Sequence, residues 1–111
     1  MEKSKIQIYS DGIIEILRSV DKREPGDQPK LVFEPVERLH IALRTVGEKR
    51  FYDAMANNLK VDLLVRTPMR EHVSTRERVR YRGREYKILQ IQYPVGVEPL
   101  SMDLSLEEVR P

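Results

Sequence analysis

The chain has 111 residues, of which 34% are charged and 40% hydrophobic, and its formal net charge at pH 7 is +2. This composition predicts a single domain over residues 1–111 with a modest core, and it excludes intrinsic disorder and a polybasic DNA-binding protein. The chain has no cysteine and no apolar run longer than three residues, which excludes disulfides, thiolate metal sites and a membrane-spanning helix.

The N-terminal third is predicted to contain a strand and a long loop. Residues 1–12 lack the apolar stretch of a signal peptide, so we expect the protein to be made and kept in the cytoplasm. Residues 13–20 are rich in β-branched side chains and are predicted as a strand with Ile14 and Ile16 on one face. Residues 21–35 contain three prolines, which remove backbone donors, so a long exposed loop with a short strand inside it is predicted there.

The middle of the chain contains two segments of alternating apolar and polar residues, one before and one after a predicted helix. Residues 36–45 and 59–67 switch between apolar and polar side chains, which is typical of half-buried strands. Residues 47–58 show helical spacing and are predicted as a short helix that packs Phe51 and Met55 onto the sheet. The predicted core-facing residues are Leu39, Ile41, Leu43, Leu59, Val61, Leu63 and Val65, and the predicted outward ones are His40, Ala42, Arg44, Lys60, Asp62 and Arg66.

The C-terminal part contains the clearest hairpin of the sequence. Two alternating segments, one ending at Tyr81 and one starting at Glu85, flank the tight turn Arg82-Gly83. A turn-rich connection at 94–100 then leads to a last strand. Its predicted inward residues are Met102, Leu104 and Leu106, and its outward ones are Asp103, Ser105 and Glu107. Together these elements predict a mostly β fold: a small antiparallel β-barrel or sandwich of five to six strands with one short helix.

Residues suited to catalysis or metal binding do not converge in the sequence. His40 and His72 are the only histidines, and neither lies in a catalytic or zinc-binding motif. We interpret His40 as an outward strand residue and His72 as a solvated loop residue. No glycine-rich phosphate loop is present either. We therefore predict no catalytic residues, no metal site, no cofactor and no enzymatic activity.

Arginines occupy every second position of one segment: Arg76, Arg78, Arg80, Arg82 and Arg84. Alternate residues of a strand share a face, so Arg78 and Arg80 would line one face while Val79 and Tyr81 face the core. The segment could therefore form a positive rib that contacts DNA phosphates or an acidic partner. The alternative is a solvated strand face whose long side chains cover apolar surface and guard against aggregation.

The end of the chain has the opposite charge, with Glu98, Asp103, Glu107 and Glu108 against Arg110 alone. A basic centre and an acidic end would suit head-to-tail contacts between identical subunits, the type of contact that closes rings. These arginines and acidic residues are therefore the candidate assembly or DNA-facing contacts. The hypothesis predicts an oligomer that weakens as salt rises.

Several motifs from residue 36 onward form a recognisable pattern. They are Val46-Gly47-Glu48 after a predicted strand, Phe51-Tyr52-Asp53-Ala54 in the predicted helix, KVDLLVR at 60–66 and TRERVRYRGREYKIL at 75–89. With the order of predicted elements, this pattern resembles the head–tail connector, or head-closure (stopper), proteins of tailed phages. The type that it most resembles is XkdH/YqbH of PBSX-like prophage elements.

The resemblance implies a β-barrel subunit that forms a homo-oligomeric ring between the portal protein or its adaptor and the tail, with a tail-completion protein as a partner. Such a ring continues and closes the DNA channel without sequence-specific DNA binding. The protein would assemble in the cytoplasm and then lie in the neck of a phage or phage-like prophage particle. By the same analogy, the loop 21–35 is a contact or gating segment; the alternative is an ordinary flexible crossover between strands.

A small β-barrel nucleic-acid-binding module is the alternative function. The arginine segment supports it, together with Tyr81, Tyr86 and Tyr93. Base-binding platforms need exposed aromatic rings beside basic residues, whereas Tyr81 and Tyr86 are in phase with apolar neighbours and are expected to be partly buried. A small hydrolase or metal enzyme is a third hypothesis, which no motif supports.

Overall fold

The computed structural model describes residues 5–44 and 60–110. Within these ranges the chain forms no helix, and hence none long and apolar enough to cross a membrane. The helix predicted at 47–58 and the predicted core residue Leu59 lie outside the described residues. The strands are β1 (Lys5–Ile6), β2 (Ile13–Asp21), β3 (Leu31–His40), β4 (Ala42–Leu43), β5 (Leu63–Pro68), β6 (Arg78–Tyr81), β7 (Arg84–Gln92), β8 (Val97–Glu98) and β9 (Ser101–Glu108).

Seven of these strands form one antiparallel sheet in the order β3-β2-β6-β7-β9-β5-β4, and β1 and β8 pair in parallel as a separate ribbon. The prediction of a mostly β, antiparallel fold is therefore confirmed. The strands at the two ends of the order, β3 and β4, follow each other in the chain and are separated by Ile41 alone. The sheet must therefore curve back on itself, but no hydrogen-bonded ladder joins β3 to β5 among the described residues. The result is a sandwich-like sheet rather than a closed barrel.

The inner face of the curved sheet carries the hydrophobic core. Burying an aliphatic side chain of this kind contributes roughly 1.5–3 kcal/mol relative to exposing it, so the cluster is the main source of stability in the described fold. Leu63 and Ile91 pack against the cluster from its margin. Its buried members are Ile14, Ile16, Leu39, Ile41, Val65, Val73, Val79, Tyr81, Tyr86, Ile88, Met102, Leu104 and Leu106.

Strands β6 and β7 form the hairpin predicted from the sequence. Their connection consists of Arg82 and Gly83 alone, with φ angles of 51° and 76°. Two successive left-handed residues are typical of the type I′ turn, whose twist matches that of the flanking strands. The turn places the Arg82 guanidinium 5.3 Å from the centroid of the Tyr81 ring. The short connection therefore fixes the register of both strands.

Strands β2 and β3 form a long hairpin, and this corrects the prediction of a loop over 21–35. Only residues 22–30 connect the two strands, because β3 already begins at Leu31. The short strand predicted inside the loop is thus the start of a longer one. Pro35 is tolerated in β3 because β3 is an edge strand. A residue whose backbone nitrogen points to the free edge makes no ladder hydrogen bond, so the missing N–H of proline costs nothing there. Next to it the register of the pairing shifts by one residue, at Val36.

The outer part of this hairpin projects from the sheet. Strand β2 pairs with β6 only from Glu15 to Leu17, so residues 18–21 pair with β3 alone. We call residues 18–34 the hairpin arm. Asp21 stabilises its turn by accepting hydrogen bonds from the amides of Arg23 and Lys30, at 3.0 and 3.1 Å. An isolated pair of strands is only marginally stable in water, so the arm is suited to contact another surface.

The crossing of the chain at Ile41 changes which side chains face the core. The Ile41 amide donates to the Gly12 carbonyl at 3.0 Å, and the Asp11 amide donates to the Ile41 carbonyl at 2.9 Å. Strand β4 then starts a new ladder with β5. Ala42 is consequently buried and Leu43 is exposed, so their predicted orientations are wrong. A single residue outside the strands, Ile41, is enough to interrupt the alternation of side chains between the two faces of the sheet.

Strands β5 and β9 are buried on both faces, which the sequence did not predict. The residues predicted to face solvent include Arg66, Asp103 and Ser105, and all three are buried. Both strands lie inside the order of the sheet, and residues 5–9 cross their outer face. There Gln7 accepts a hydrogen bond from Arg66 Nη1 at 3.2 Å, and the Tyr9 hydroxyl lies 2.5 Å from Ser101 Oγ.

The buried Arg66 and Asp103 form a bidentate ion pair. Arg66 Nε and Nη2 donate to the two carboxylate oxygens of Asp103, at 2.6 and 2.9 Å. The two residues are direct Cα partners in the ladder between β5 and β9. Their side chains are only 10% and 1% exposed. The pair therefore satisfies two charges that the sheet would otherwise bury at a high cost in free energy.

Removing one side of this pair tests its role. We expect Asp103→Ala to lower the free energy of unfolding by about 3 kcal/mol, because it deprives a buried guanidinium of its carboxylate. The double variant Arg66→Met/Asp103→Leu should recover most of that loss. Glu34→Ala, which removes the partner of Lys22 in an exposed pair on the hairpin arm, is the matched control and should cost less than about 1 kcal/mol. Urea unfolding measures all four proteins, and equal losses for Asp103→Ala and Glu34→Ala would contradict this account.

Candidate assembly surfaces

The arginines of β6 lie on a strand face where acidic side chains compensate them. Arg78 Nη1 is 2.8 Å from Glu85 Oε2, and Arg80 Nη1 is 3.6 Å from Glu15 Oε1. The Arg78 guanidinium also stacks over the ring of Phe33, at 4.2 Å from its centroid. Opposite charges on neighbouring strands stabilise a sheet modestly. The face therefore matches the solvated, charge-compensated alternative more closely than an unbroken positive surface.

The acidic end of the chain lies beside the arginine segment in the same sheet. Arg84 Nη1 and Arg110 Nη1 each lie 3.6 Å from a carboxylate oxygen of Glu108. Glu107 is the direct Cα partner of Lys87 in the ladder between β7 and β9. Glu108 is therefore compensated within its own chain, which leaves fewer acidic groups for head-to-tail contacts than the sequence suggested.

The remaining candidate contacts fall into two groups. Asp103 is fully buried in its pair with Arg66, so it cannot act as a surface contact of the folded chain. Arg76, Arg82 and Glu98 are exposed, and none of them has an ion-pair partner within the part of the chain that the structure describes. Three of the nine predicted contacts thus remain as uncompensated surface charges.

An open groove of about 330 Å³ lies beside β6 and β7, next to the base of the hairpin arm. Arg76, Arg78 and Lys87 supply its positive charge, and Phe33 and Leu89 supply apolar surface. Its acidic member, Glu77, is turned to its own loop: its carboxylate accepts hydrogen bonds from the Ser74 hydroxyl at 2.6 Å and the Ser74 amide at 3.0 Å. We call it the basic groove, lined by Phe33, Thr75, Arg76, Glu77, Arg78, Lys87, Ile88 and Leu89.

A cluster of exposed apolar side chains lies on the ribbon of β1 and β8 and on the chain around it. Backbone hydrogen bonds from Lys5 to Gly96 and from Gln7 to Glu98, at 2.8 and 2.7 Å, hold the N-terminal residues against this connection. Because Gln7 faces the sheet, Ile6 and Ile8 face away from it. We call this cluster the apolar patch: Ile6 (82% exposed), Ile8 (70%), Tyr93 (55%), Val95 (97%) and Leu100 (76%), with Glu98 among them.

Glu37 links the hairpin of β2 and β3 to the loop between β5 and β6. Arg70 Nε donates to its carboxylate at 2.8 Å, and His72 Nε2 lies 2.7 Å from the other oxygen. The hydrogen bond from Arg70 contributes most to lowering the pKa of Glu37 below its ordinary value of 4.5; burial opposes the shift, and His72 adds to it. The cluster therefore stabilises the ionised carboxylate.

The tyrosines do not form a platform for stacking bases. Tyr81 and Tyr86 are 7% and 8% exposed and belong to the core. The prediction that these two rings are at least partly buried is therefore confirmed. Burial, followed by the charge of Glu108, raises the pKa of the Tyr86 hydroxyl above its ordinary value. Tyr93 is exposed, but it lies in the apolar patch. The geometry thus disfavours a nucleic-acid-binding module that relies on aromatic stacking.

The two histidines lie apart from each other. His40 is exposed at the end of β3, as predicted. His72 lies in a loop, as predicted, but it contacts Glu37 rather than solvent alone. Residues 5–44 and 60–110 contain no group of three or more His, Cys, Asp or Glu side chains arranged to hold a metal ion.

Comparisons with known proteins define the chain as a structural protein of a phage particle. The chain belongs to the phage head completion protein family, whose sequence pattern matches residues 11–106. The predicted membership of the head–tail connector and head-closure proteins is thereby confirmed. Its assignment to the XkdH/YqbH type stays a prediction.

A solved structure shares the fold. The chain resembles a protein chain in the virion of a native gene transfer agent (GTA) particle, with a TM-score of 0.55 and 11% sequence identity. The alignment covers 89% of this chain and 94% of that chain. At such low identity the likeness concerns the fold alone. No curated protein matches the sequence.

Sequence reasoning missed several residues that shape these surfaces. Gln7 and Tyr9 cover β5 and β9, yet they lie in a polar segment with only Ile6 and Ile8 in alternation. The hydrogen bonds of Glu37 to Arg70 and His72 join segments that are 33 and 35 residues apart. Nothing in the spacing of such residues reveals that they meet. The parallel pairing of β1 with β8 has no local signal either, because each strand has only two residues.

The Glu37 cluster predicts a pH-dependent contribution to stability. A carboxylate whose pKa is lowered on folding stabilises the protein above its ordinary pKa, and this contribution is lost as the pH falls through the lower, folded value. The difference in unfolding free energy between the native protein and Glu37→Gln should therefore shrink as the pH falls below 4.5. Urea unfolding at a series of pH values measures it. In an Arg70→Ala background the pH dependence should weaken, and a difference that does not change with pH would contradict the prediction.

Proposed function

We propose that the protein forms a homo-oligomeric ring in the neck of a phage or phage-like prophage particle, between the portal protein or its adaptor and the tail. The ring continues the DNA channel and closes it. The observation that carries this proposal is the match of residues 11–106 to the phage head completion protein family. The shared fold with a chain of a gene transfer agent virion supports it.

The surface chemistry supports a passive structural role. The arginines at 78, 80 and 84 have carboxylate partners in their own chain, so these three side chains offer little uncompensated charge for holding phosphates. A channel wall of this kind lets DNA pass without sequence-specific binding, since tight binding needs uncompensated basic groups. The protein acts through its contacts with other proteins and not as an enzyme.

The hairpin arm is the element best suited to contact a neighbouring component. Every residue from Arg18 to Leu31 is exposed, and Val20 and Leu31 are exposed apolar side chains near its end. The exposed pair of Lys22 and Glu34 bridges its two strands. We propose that the arm reaches the portal, its adaptor or a tail-completion protein. The subunits assemble in the cytoplasm and end in the neck of the particle.

Deleting the gene tests the proposed role directly. We expect DNA-filled or leaking heads without tails, together with free tails, because the component that closes the head and receives the tail is missing. Electron microscopy of lysates and nuclease protection of the packaged DNA measure the two defects. A plasmid copy of the native gene should restore tailed particles. Normal tailed, DNA-filled particles after deletion would contradict the proposal.

A binding experiment separates this role from the alternative of a nucleic-acid-binding module. Fluorescence anisotropy with single-stranded DNA at moderate salt should show only weak, salt-sensitive binding, because Tyr81 and Tyr86 are buried. Replacing the exposed Tyr93 with Ala should not change the signal. Tight binding that is lost in Tyr93→Ala would favour the module instead.

A further inference from the structure

Two of the predicted contacts are exposed charges of opposite sign that the described chain leaves uncompensated. The backbone amide of Arg76 donates a hydrogen bond to Ser74 Oγ at 3.2 Å, and the Arg76 side chain has no ion-pair partner within residues 5–44 and 60–110. Glu98 is likewise exposed and has no ion-pair partner in those ranges. Arg82, the third such residue, stacks on Tyr81. Among the predicted contacts, Arg76 and Glu98 are thus exposed charges of opposite sign that can pair with another molecule.

Each of these charges is set among apolar side chains. Arg76 lines the basic groove together with the apolar side chains of Phe33 and Leu89. Glu98 lies in β8, where its Cα partner is Ile6 of β1. Exposed apolar clusters with a few polar groups usually mark protein interaction sites. The groove is thus partly apolar with an excess of positive charge, and the patch is apolar with one negative charge, Glu98.

Glu77 in the basic groove and Glu85 beside it are bound to partners other than Arg76. Glu77 is held by Ser74 and lies 3.6 Å from Arg18 Nε. Its pKa is lowered: burial acts against the shift, and the hydrogen bonds from Ser74 outweigh it. Glu85 is bound to Arg78. The groove therefore keeps a net positive charge towards solvent.

We propose that the apolar patch of one copy docks into the basic groove of a second copy, with Glu98 beside Arg76. The inference rests on the proposed ring and names the surfaces that join its subunits. One chain carries both the basic groove and the apolar patch with its negative charge, so two copies can supply the two complementary surfaces without a different partner. Because the two surfaces have no residue in common, one copy can offer its patch while its groove is filled. Such a heterologous contact closes rings when its rotation fits.

The free edge of β3 is a weaker candidate for this contact. It is the longest strand, with ten residues, and its outer edge has no partner among the described strands. Pro35, the irregular pairing at Val36 and several charged side chains interrupt it, and these are features that prevent pairing between edges. Contact through side chains of the groove and the patch does not need this edge.

The absence of cysteine from the chain allows a direct test by site-specific cross-linking. Arg76→Cys and Glu98→Cys are mixed in equal amounts and treated with a short bis-maleimide. We expect a covalent heterodimer at least several-fold above the background of a mixture of Gln28→Cys and Glu98→Cys, since Gln28 is exposed in the turn of the hairpin arm. Each variant alone should give only that background, and the double variant Arg76→Cys/Glu98→Cys should give a ladder of multimers. No excess over the control, or an equal yield of dimer from Glu98→Cys alone, overturns the proposal.

Charge reversal in the cysteine-free protein provides a second measurement. Arg76→Glu and Glu98→Arg should each weaken self-association in sedimentation velocity several-fold, and the combination should restore it, because the pair is re-formed with reversed polarity. All these positions are exposed, so circular dichroism should be unchanged. Higher salt should weaken the native association. Additive losses in the double reversal overturn the pairing of these two residues.

The outcomes also separate this interface from the proposed function. If the heterodimer is absent while gene deletion still gives heads without tails, the interface is wrong and the neck role stands. If the heterodimer forms while the deletion gives normal tailed particles, the interface stands and the neck role is wrong.

Discussion

One residue, Ile41, fixes the shape of this protein. It joins β3 to β4, which lie at opposite ends of a seven-stranded sheet, and its amide and carbonyl are both bonded to the chain just before β2. A sheet whose end strands are separated by one residue has to curve, and the curvature creates one enclosed inner face. Ile14, Val65 and Leu104 meet on that face. The outer face then has room for charged ladders and for the segments that cross it.

The same curvature explains why the described chain buries an ion pair. Strands β5 and β9 lie inside the order of the sheet, and the N-terminal residues cross their outer face, so Arg66 and Asp103 have little access to water. A bidentate pair with Gln7 beside it satisfies both charges. Since Gln7 also holds the backbone near Glu98, the ion pair helps to place the apolar patch. The buried ion pair, the N-terminal residues that cover it and the apolar patch are therefore linked by direct hydrogen bonds through Gln7.

The sequence predicted the mostly β class and the hairpin at Arg82-Gly83, because period-two alternation and turn chemistry are local signals. Sequence reasoning failed where the burial of a side chain depends on the position of its strand in the sheet. Arg66 and Asp103 have the outward phase of their strands, yet both are buried, since a strand covered on two faces no longer separates polar from apolar sides. Ala42 is buried and Leu43 is exposed, the reverse of the prediction, because the chain passes from β3 to β4 at Ile41. The arginine segment was recognised, but not its acidic partners, because pairs such as Arg80 with Glu15 depend on long-range register.

The central claim is that this curved sheet is the subunit of a ring in the particle neck. Cryo-electron microscopy of the neck of purified particles tests it most directly. The account predicts a ring of identical copies between the portal region and the tail, each fitted by the seven-stranded sheet, with the Arg76 groove of one copy against the Glu98 patch of the next. Neck density that this fold does not fit, or copies found only elsewhere in the particle, would contradict it.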